Sequence, residues 1–376
     1  MKICLYSPYF PKHTGGGEKY LLDVAQFMAT YGQVFLAVPQ TEFHQQLSSS
    51  ETEAIYTKYQ DFLGQDLKQL ELLASPLGTK ASFWQKLNWT RQFDLLYFIT
   101  DGSLFLSGAG KSVIHIQIPL IRQPLSFFER LKKLSWQFVN TNSAFTKQIV
   151  EKHWGLRVNA VHQPMVDVAK LELLSEKIQK EKIILHVGRF FRQLHSKRQD
   201  VLVRFFKNLK KQYPQESKGW QLVLIGSVED EQYAREVKKL ASGLPIKIIH
   251  TVSRDELDAW YAKASIYWHT TGFAVDEDLH PEKMEHFGIS TVEAMASRAV
   301  PVVISKGGQP EILGAGLTEL LWQDEKTCLA KTAELMNNEH KRAFLATQAQ
   351  LRSQNFGPEK FETNLREMMQ VLRLNQ

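Results

Sequence analysis

Residues 182–202 read KIILHVGRFFRQLHSKRQDVL: a mostly apolar run, a glycine, a basic loop and the first turns of a helical period. The run at 182–187 lacks the polar alternation of a half-exposed strand, so it reads as a strand buried on both faces. Gly188 ends it, and apolar residues recur at helical spacing over 197–210. Strand, short loop and helix in that order are the repeating unit of a parallel sheet covered by helices.

The unit recurs on both sides. Downstream, strands are expected at 221–225 (QLVLI), 246–249 (IKII), 266–268 (IYW) and 300–304 (VPVVI), with helices from about Glu229, over 254–262 and from Ser290. Upstream, 2–6 (KICLY), 34–38 (VFLAV), 94–99 (DLLYFI) and 112–118 (SVIHIQI) read as strands. Tyr20, Leu21, Val24, Phe27, Met28 and Tyr31 mark a helix, and 137–140 leads into another at Ser143. Between the two series, 163–180 holds Pro164 and a Lys/Glu-rich stretch and reads as a linker. The expected fold class is α/β, with two doubly wound domains at 1–165 and 166–356 facing a central cleft. A helix at 357–376, opened by Pro358, follows. Ligands of such sheets bind beyond the carboxyl ends of the strands, at helix N-termini.

The 376 residues are 43% hydrophobic, 23% charged and 11% aromatic, which excludes extended disorder. The two cysteines, Cys4 and Cys328, exclude a disulfide scaffold and a Cys-x-x-Cys zinc clip. The apolar stretch 112–121 is about half the length that crosses a bilayer. Residues 1–6 are too short for the apolar core of a signal peptide. Cytoplasmic localisation is therefore expected. A net charge of +6 favours phosphate-bearing ligands or an anionic membrane surface. No motif beyond that charge points to nucleic acid.

Four loops after strands carry candidate chemistry. The first, 11–18 (PKHTGGGE), places Gly15, Gly16 and Gly17 before a helix, where backbone N–H groups can meet an anion; a flexible turn is the alternative. It lacks both the dinucleotide fingerprint and the Gly-Lys-Ser/Thr of a triphosphate loop. In the second, 188–197, Arg189 and Lys197 bracket a helix start, as a diphosphate would require. A solvated basic loop is the alternative, and Arg192 and Arg198 read as surface charges. The third, 281–296 (PEKMEHFGISTVEAMA), separates Glu285 from Glu293 by seven residues. Ser290 and Glu293 fit a capping box, and Glu293 can also offer an oxygen to hydroxyls. Glu285 precedes the helix and is free to accept sugar hydroxyls. The fourth, 306–311 (KGGQPE), reads as a tight connection. Asp276, Glu277 and Asp278 read as a solvated loop.

In this order and spacing the loops resemble the retaining nucleotide-sugar glycosyltransferases with two Rossmann-like domains (GT-B). These carry a Glu-x7-Glu signature and form glycosyltransferase family 4, group 1. The resemblance runs along nearly the whole chain. It takes in GGGEKY at 15–20, NTNSAFTKQIV at 140–150, VGRFF and HSKRQDVL within 187–202, EHFGISTVEAMA at 285–296 and PVVISKGGQPEI at 301–312. HPEKMEHFG at 280–288 is similar to the branch that includes lipid-linked-oligosaccharide mannosyltransferases.

The resemblance implies that Arg189 and Lys197 hold the donor diphosphate and that Glu285 contacts the donor sugar, these three being the catalytic set. It implies that Glu293 binds the ribose. Gly188, Phe287, Gly288, Ile289, Ser290 and Thr291 would line the donor site, with Gly15, Gly16 and Gly17 closing over the diphosphate from the acceptor-side domain 1–165. The final helix would pack back on that domain.

The reaction implied moves mannose or another hexose from a nucleoside-diphosphate sugar to a glycan or lipid-linked acceptor. The anomeric configuration is retained, and neither metal nor cofactor is required. A nucleotide-sugar epimerase of the same fold, or a non-catalytic carbohydrate- or nucleotide-binding subunit, are the alternatives. A nicotinamide dehydrogenase lacks its fingerprint in both first loops.

The family often places a histidine two residues before a proline after a first-domain strand. Gln117 stands there, ahead of Pro119, and His115 shares its strand face. Both are candidate polar residues at the sugar, and His115 equally fits a hydrogen-bonded core position. His280 and His286 border the signature and are candidates to orient phosphate or sugar, a surface role being the alternative for His280. Arg130, Lys132 and Lys133 beside Phe127, Phe128 and Trp136 suit peripheral contact with an anionic membrane, such as the inner face of the plasma membrane. The alternative is an ordinary buried stripe of Leu125, Phe128, Leu131 and Trp136.

Overall fold

A computed structural model describes residues 1–12, 15–40, 46–63, 67, 69–122, 126–193 and 195–374. The chain divides into two units, Met1–Met165 with Glu359–Gln376, and Val166–Pro358.

In the first unit the strands are β1 (Lys2–Tyr6), β2 (Gln33–Pro39), β3 (Glu71–Ser75), β4 (Leu95–Thr100), β5 (Lys111–Ile116), β6 (Phe138–Thr141) and β7 (Ala160–Val161). Its helices are α1 (Gly16–Met28), α2 (Ser49–Leu63), α3 (Phe83–Thr90), α4 (Phe127–Lys133) and α5 (Ala144–Trp154). The second unit follows with α6 (Val168–Lys177), β8 (Glu181–Val187), α7 (Gln199–Gln212), β9 (Gln221–Ile225), α8 (Glu231–Ala241), β10 (Ile246–Ile249) and α9 (Arg254–Lys263). It continues through β11 (Ala264–His269), α10 (Ile289–Ala296), β12 (Val300–Ile304), α11 (Gln309–Leu313), β13 (Leu321–Trp322), α12 (Glu325–Asn337) and α13 (Glu339–Ser353). The last helix is α14 (Pro358–Val371).

Among the described residues, the first sheet has the order β3-β2-β1-β4-β5-β6-β7 and the second β10-β9-β8-β11-β12-β13, all parallel. Strand order reverses beside β1 in one sheet and beside β8 in the other. Loops leaving β8 and β11 therefore diverge and open a crevice at the strand C-termini, where a doubly wound sheet takes its ligand.

Alternation along the strands builds the first unit's core. Ile3 and Leu5 of β1 join one apolar cluster, and Cys4 and Tyr6 the other. The first cluster also holds Phe361, Leu365, Met368 and Met369 of α14. The Lys/Glu-rich stretch read as linker is largely helix: Val168 and Leu171 of α6 are buried in the second unit's core. Its charges occupy the outer face, which explains the misreading.

Helix α4 departs from a buried stripe. Its Phe128 and Leu131 are exposed, Trp136 beyond it is buried, and Leu125 lies outside the described residues. The acidic trio is only partly solvated, since Glu277 Oε1 accepts a hydrogen bond from Gly307 N at 2.7 Å. Among the described residues no helix is long and apolar enough to cross a membrane.

Candidate functional site

Two loops of the second unit meet in one buried ion pair. Lys197, between β8 and α7, reaches Glu285 Oε2 with its Nζ at 2.5 Å, and the side chains are only 13% and 12% exposed. His269, the last residue of β11, brings Nε2 to the same oxygen at 2.7 Å. Burial alone would raise the Glu285 carboxyl, but the Lys197 ammonium and the His269 contact outweigh it and hold the group well below the usual carboxylate range. Burial also lowers the His269 imidazole, against the pull of Glu285. Its Nδ1 has no hydrogen-bond partner among the described residues.

The fourth loop, read as a plain connection, holds Glu285 in place. Gly308 N donates to the Glu285 carbonyl at 2.7 Å. Gly307 has φ +61°, and a Cβ there would lie 2.3 Å from that carbonyl oxygen, so only glycine fits. Lys306 Nζ closes the loop by donating to the carbonyls of Gly272 (3.3 Å) and Val275 (2.5 Å).

Arg189 lies in the same loop as Lys197 but pairs with Glu229 at 2.7 Å and stacks over Phe191. Its Nη2 is 3.4 Å from His195 Nε2, and the His195 ring lies 5.0 Å from that of His286. Burial, with the charges of Lys197 and Arg189 and with His286, lowers the partly buried His195 imidazole well below its usual range, so both cations act on the same ring. The expected pair is thus brought to one place, each cation with its own carboxylate. Gly188 sits beneath Lys197, and its carbonyl accepts from Gln199 Nε2 at 2.9 Å.

The helix read from Ser290 begins at Ile289, with Gly288 as N-cap at φ +121°. The capping-box reading fails for that reason. Ser290 lies inside the first turn, where its Oγ accepts from Tyr267 at 2.7 Å. The N–H groups of Ile289 and Ser290 have no acceptor among the described residues, leaving two donors and a partial positive charge at the crevice. The side chains of Phe287 and Thr291 are committed elsewhere: Phe287 packs on Phe356, and the Thr291 hydroxyl donates to buried Gln309 at 2.9 Å. Only their backbone remains for a ligand.

Glu293 is 6% exposed and takes a different cation. Arg254 of α9 contacts Glu293 at 2.7 Å and Asp258 at 2.5 Å, and Lys170 contacts Asp258 at 2.9 Å. Burial, together with the charges of both Glu285 and Glu293, pushes the Tyr267 phenol up. His280 is largely exposed beside Glu282. His286 is buried on the Glu282 carbonyl at 3.1 Å, and burial lowers its pKa to about 4, so it is neutral near pH 7.

In the first unit, Gly15 caps α1, and Gly16 and Gly17 open the helix. A Cβ on Gly17 would lie 2.8 Å from Gln117 Oε1, which puts Gln117 beside the glycine run. His13 and Thr14 of that loop lie outside the described residues. His115 is in the core. Its Nδ1 is 2.7 Å from Asn140 Oδ1 and 3.1 Å from the Tyr20 hydroxyl, and its ring stacks on Tyr20 at 4.0 Å.

His269, His195 and Arg254 escaped the sequence reading. His269 ends an apolar run and reads as core, and Arg254 reads as an ordinary first-turn residue.

Residues 174–352 match the profile of the family described as glycosyl transferases group 1. The second unit is a group 1 glycosyltransferase domain. The group 1 domain has relatives in fungi and bacteria. A GDP-Man:Man(3)GlcNAc(2)-PP-Dol alpha-1,2-mannosyltransferase of Neurospora crassa is 29% identical over 223 residues, covering 48% of this chain and 37% of that protein. A lipopolysaccharide core biosynthesis mannosyltransferase of Rhizobium leguminosarum is 29% identical over 136 residues, covering 35% and 34%. The matches thus span about a third of those relatives.

HepE of Anabaena, solved with UDP and glucose, superposes with TM-score 0.67 at 17% identity, over 98% of this chain and 99% of that one. A Rickettsia africae glycosyltransferase reaches TM-score 0.69 at 14% identity, over 99% and 98%. These likenesses show the GT-B fold along the whole chain.

Proposed function

We propose that the protein transfers a sugar from a nucleoside-diphosphate sugar to an acceptor hydroxyl. The observation that carries this is the convergence of Lys197, His269 and Glu285 beside the open N-terminus of α10 in a group 1 domain. Breaking a glycosyl–phosphate bond builds negative charge on the departing diphosphate. Fixed cations and helix N–H groups stabilise that charge as it forms. A bound diphosphate competes with Glu285 for the Lys197 ammonium and with Glu229 for the Arg189 guanidinium. Glu285, relieved of its cation, then accepts hydroxyls of the donor sugar. Glu293, positioned by Arg254, is assigned to the ribose.

This reading takes the donor sugar as mannose or another hexose, supported by the names of the two mannosyltransferase relatives. It takes the acceptor as a glycan or lipid-linked glycan carried by the first unit, the configuration as retained, and the leaving-group charge as borne by protein cations alone. The test has two stages. A panel of UDP- and GDP-sugars is screened for protection against thermal unfolding, since a ligand of the native state raises the midpoint. The protecting donor is then incubated with and without acceptor glycans. Release of nucleoside diphosphate with a new glycosidic product supports transfer, whereas an epimerised donor formed without acceptor, or protection by no donor, defeats it.

A further inference from the structure

Helix α4 has no buried residue, although three large apolar side chains on it and one at its C-cap would gain from burial. Phe127, Phe128, Leu131 and the C-cap Leu134 are 70%, 73%, 45% and 76% exposed. At about 100° per residue these four cover an arc of roughly 120°, bordered by Arg130 on one side and Lys132 on the other. The helix does not need that face to fold. A reciprocal Ser126–Glu129 capping box fixes its start, Glu129 pairs with Arg122, and Trp136 beyond its end is buried with Nε1 on the Phe105 carbonyl at 2.8 Å. An apolar face held outward by caps, on a helix with no buried residue of its own, marks a docking surface.

We propose that this face inserts into the interface of an anionic lipid bilayer. Charge selects that occupant. Among the described residues Lys132 and Lys133 have no carboxylate partner, and the chain as a whole carries +6. Phosphate headgroups complement cations that border an apolar stripe, with the rings below the headgroups and the ammonium groups among them. A second copy of the same face would oppose cation to cation. The inference is independent of the donor site, and a vesicle assay reads it without turnover.

The experiment is cosedimentation of the full chain with vesicles of phosphatidylcholine alone and of phosphatidylcholine mixed equally with phosphatidylglycerol, at low and at physiological salt. The protein is expected to partition onto the anionic vesicles and weakly onto the neutral ones. Phe127→Ser/Phe128→Ser should cut partitioning roughly tenfold or more. Lys132→Gln/Lys133→Gln should cut it about fivefold per lysine at low salt. Unchanged thermal midpoints in both double variants would exclude misfolding. Equal binding to both vesicle types, or full binding by Phe127→Ser/Phe128→Ser, overturns the proposal. So does a dimer in sedimentation velocity that the Phe substitutions abolish while no vesicle is bound.

Discussion

Replacing Lys197 with methionine keeps the side chain's length and removes its charge. Glu285 is then left 12% exposed with His269 as its remaining partner. Stripping one member from a buried ion pair costs about 3–5 kcal/mol, because the other charge stays desolvated. His269 still touches the carboxylate, so the lower end applies. For a unit of this size that corresponds to a fall of roughly 6–12 °C in midpoint, at about 2–4 °C per kcal/mol. Glu285→Gln in the same chain removes the stranded charge and should restore most of the stability. Loss of one preorganised donor to a developing anion costs about 10²–10³-fold in turnover, and that loss should persist in the double variant.

Differential scanning calorimetry and release of nucleoside diphosphate measure the two effects separately, and the double-mutant cycle isolates the coupling. If Lys197→Met melts within a degree of the parent, or if the double variant is less stable than the single one, the buried-pair reasoning is wrong.

Four further outcomes are expected. Gly307→Ala should destabilise the second unit by more than about 1 kcal/mol, as a Cβ at positive φ would strike the Glu285 carbonyl, and should weaken donor binding in calorimetry. Arg254→Ala strands Glu293, while Asp258 keeps Lys170, and should cost about 3 kcal/mol in a urea titration. His115→Ala should lower the first unit's stability through its buried hydrogen-bond network while leaving nucleotide affinity unchanged. Acidification should destabilise the fold between pH 6.5 and 4. Burial lowers His286 and His162 to about 4, so the unfolded chain binds more protons in that window. The stability their neutral forms contribute is present above the unfolded value and lost as pH falls through the folded one, at up to about 1.4 kcal/mol per pH unit per histidine. Melts from pH 7 to 4 check this, and His286→Gln should flatten the slope.

The second unit was more legible than the first. Ile183, Ile184 and Leu185, like Val302, Val303 and Ile304, are buried to within 1%, and a strand covered on both faces shows as an unbroken apolar run. The stretch carrying α2 and β3 gave no such signal. Leu72, Leu73 and Ala74 of the edge strand β3 are only partly buried, and SSETEAIYTKYQDFL carries too few apolar positions for a clear stripe. Lys197 and Glu285 stood out as charged residues in post-strand loops, but their direct pairing across 88 positions has no local signature. The Ser290–Glu293 spacing mimicked a cap because positive φ at Gly288, which moves the helix start, cannot be read from residue type alone.

The most direct measurement is a crystal structure of the protein with its protecting nucleoside diphosphate. The account expects the Arg189 guanidinium and the Lys197 ammonium on the diphosphate oxygens, the Ile289 and Ser290 N–H groups donating to them, and Glu285 released from Lys197. A diphosphate bound elsewhere, with Lys197 still on Glu285 and Arg189 still on Glu229, would contradict it.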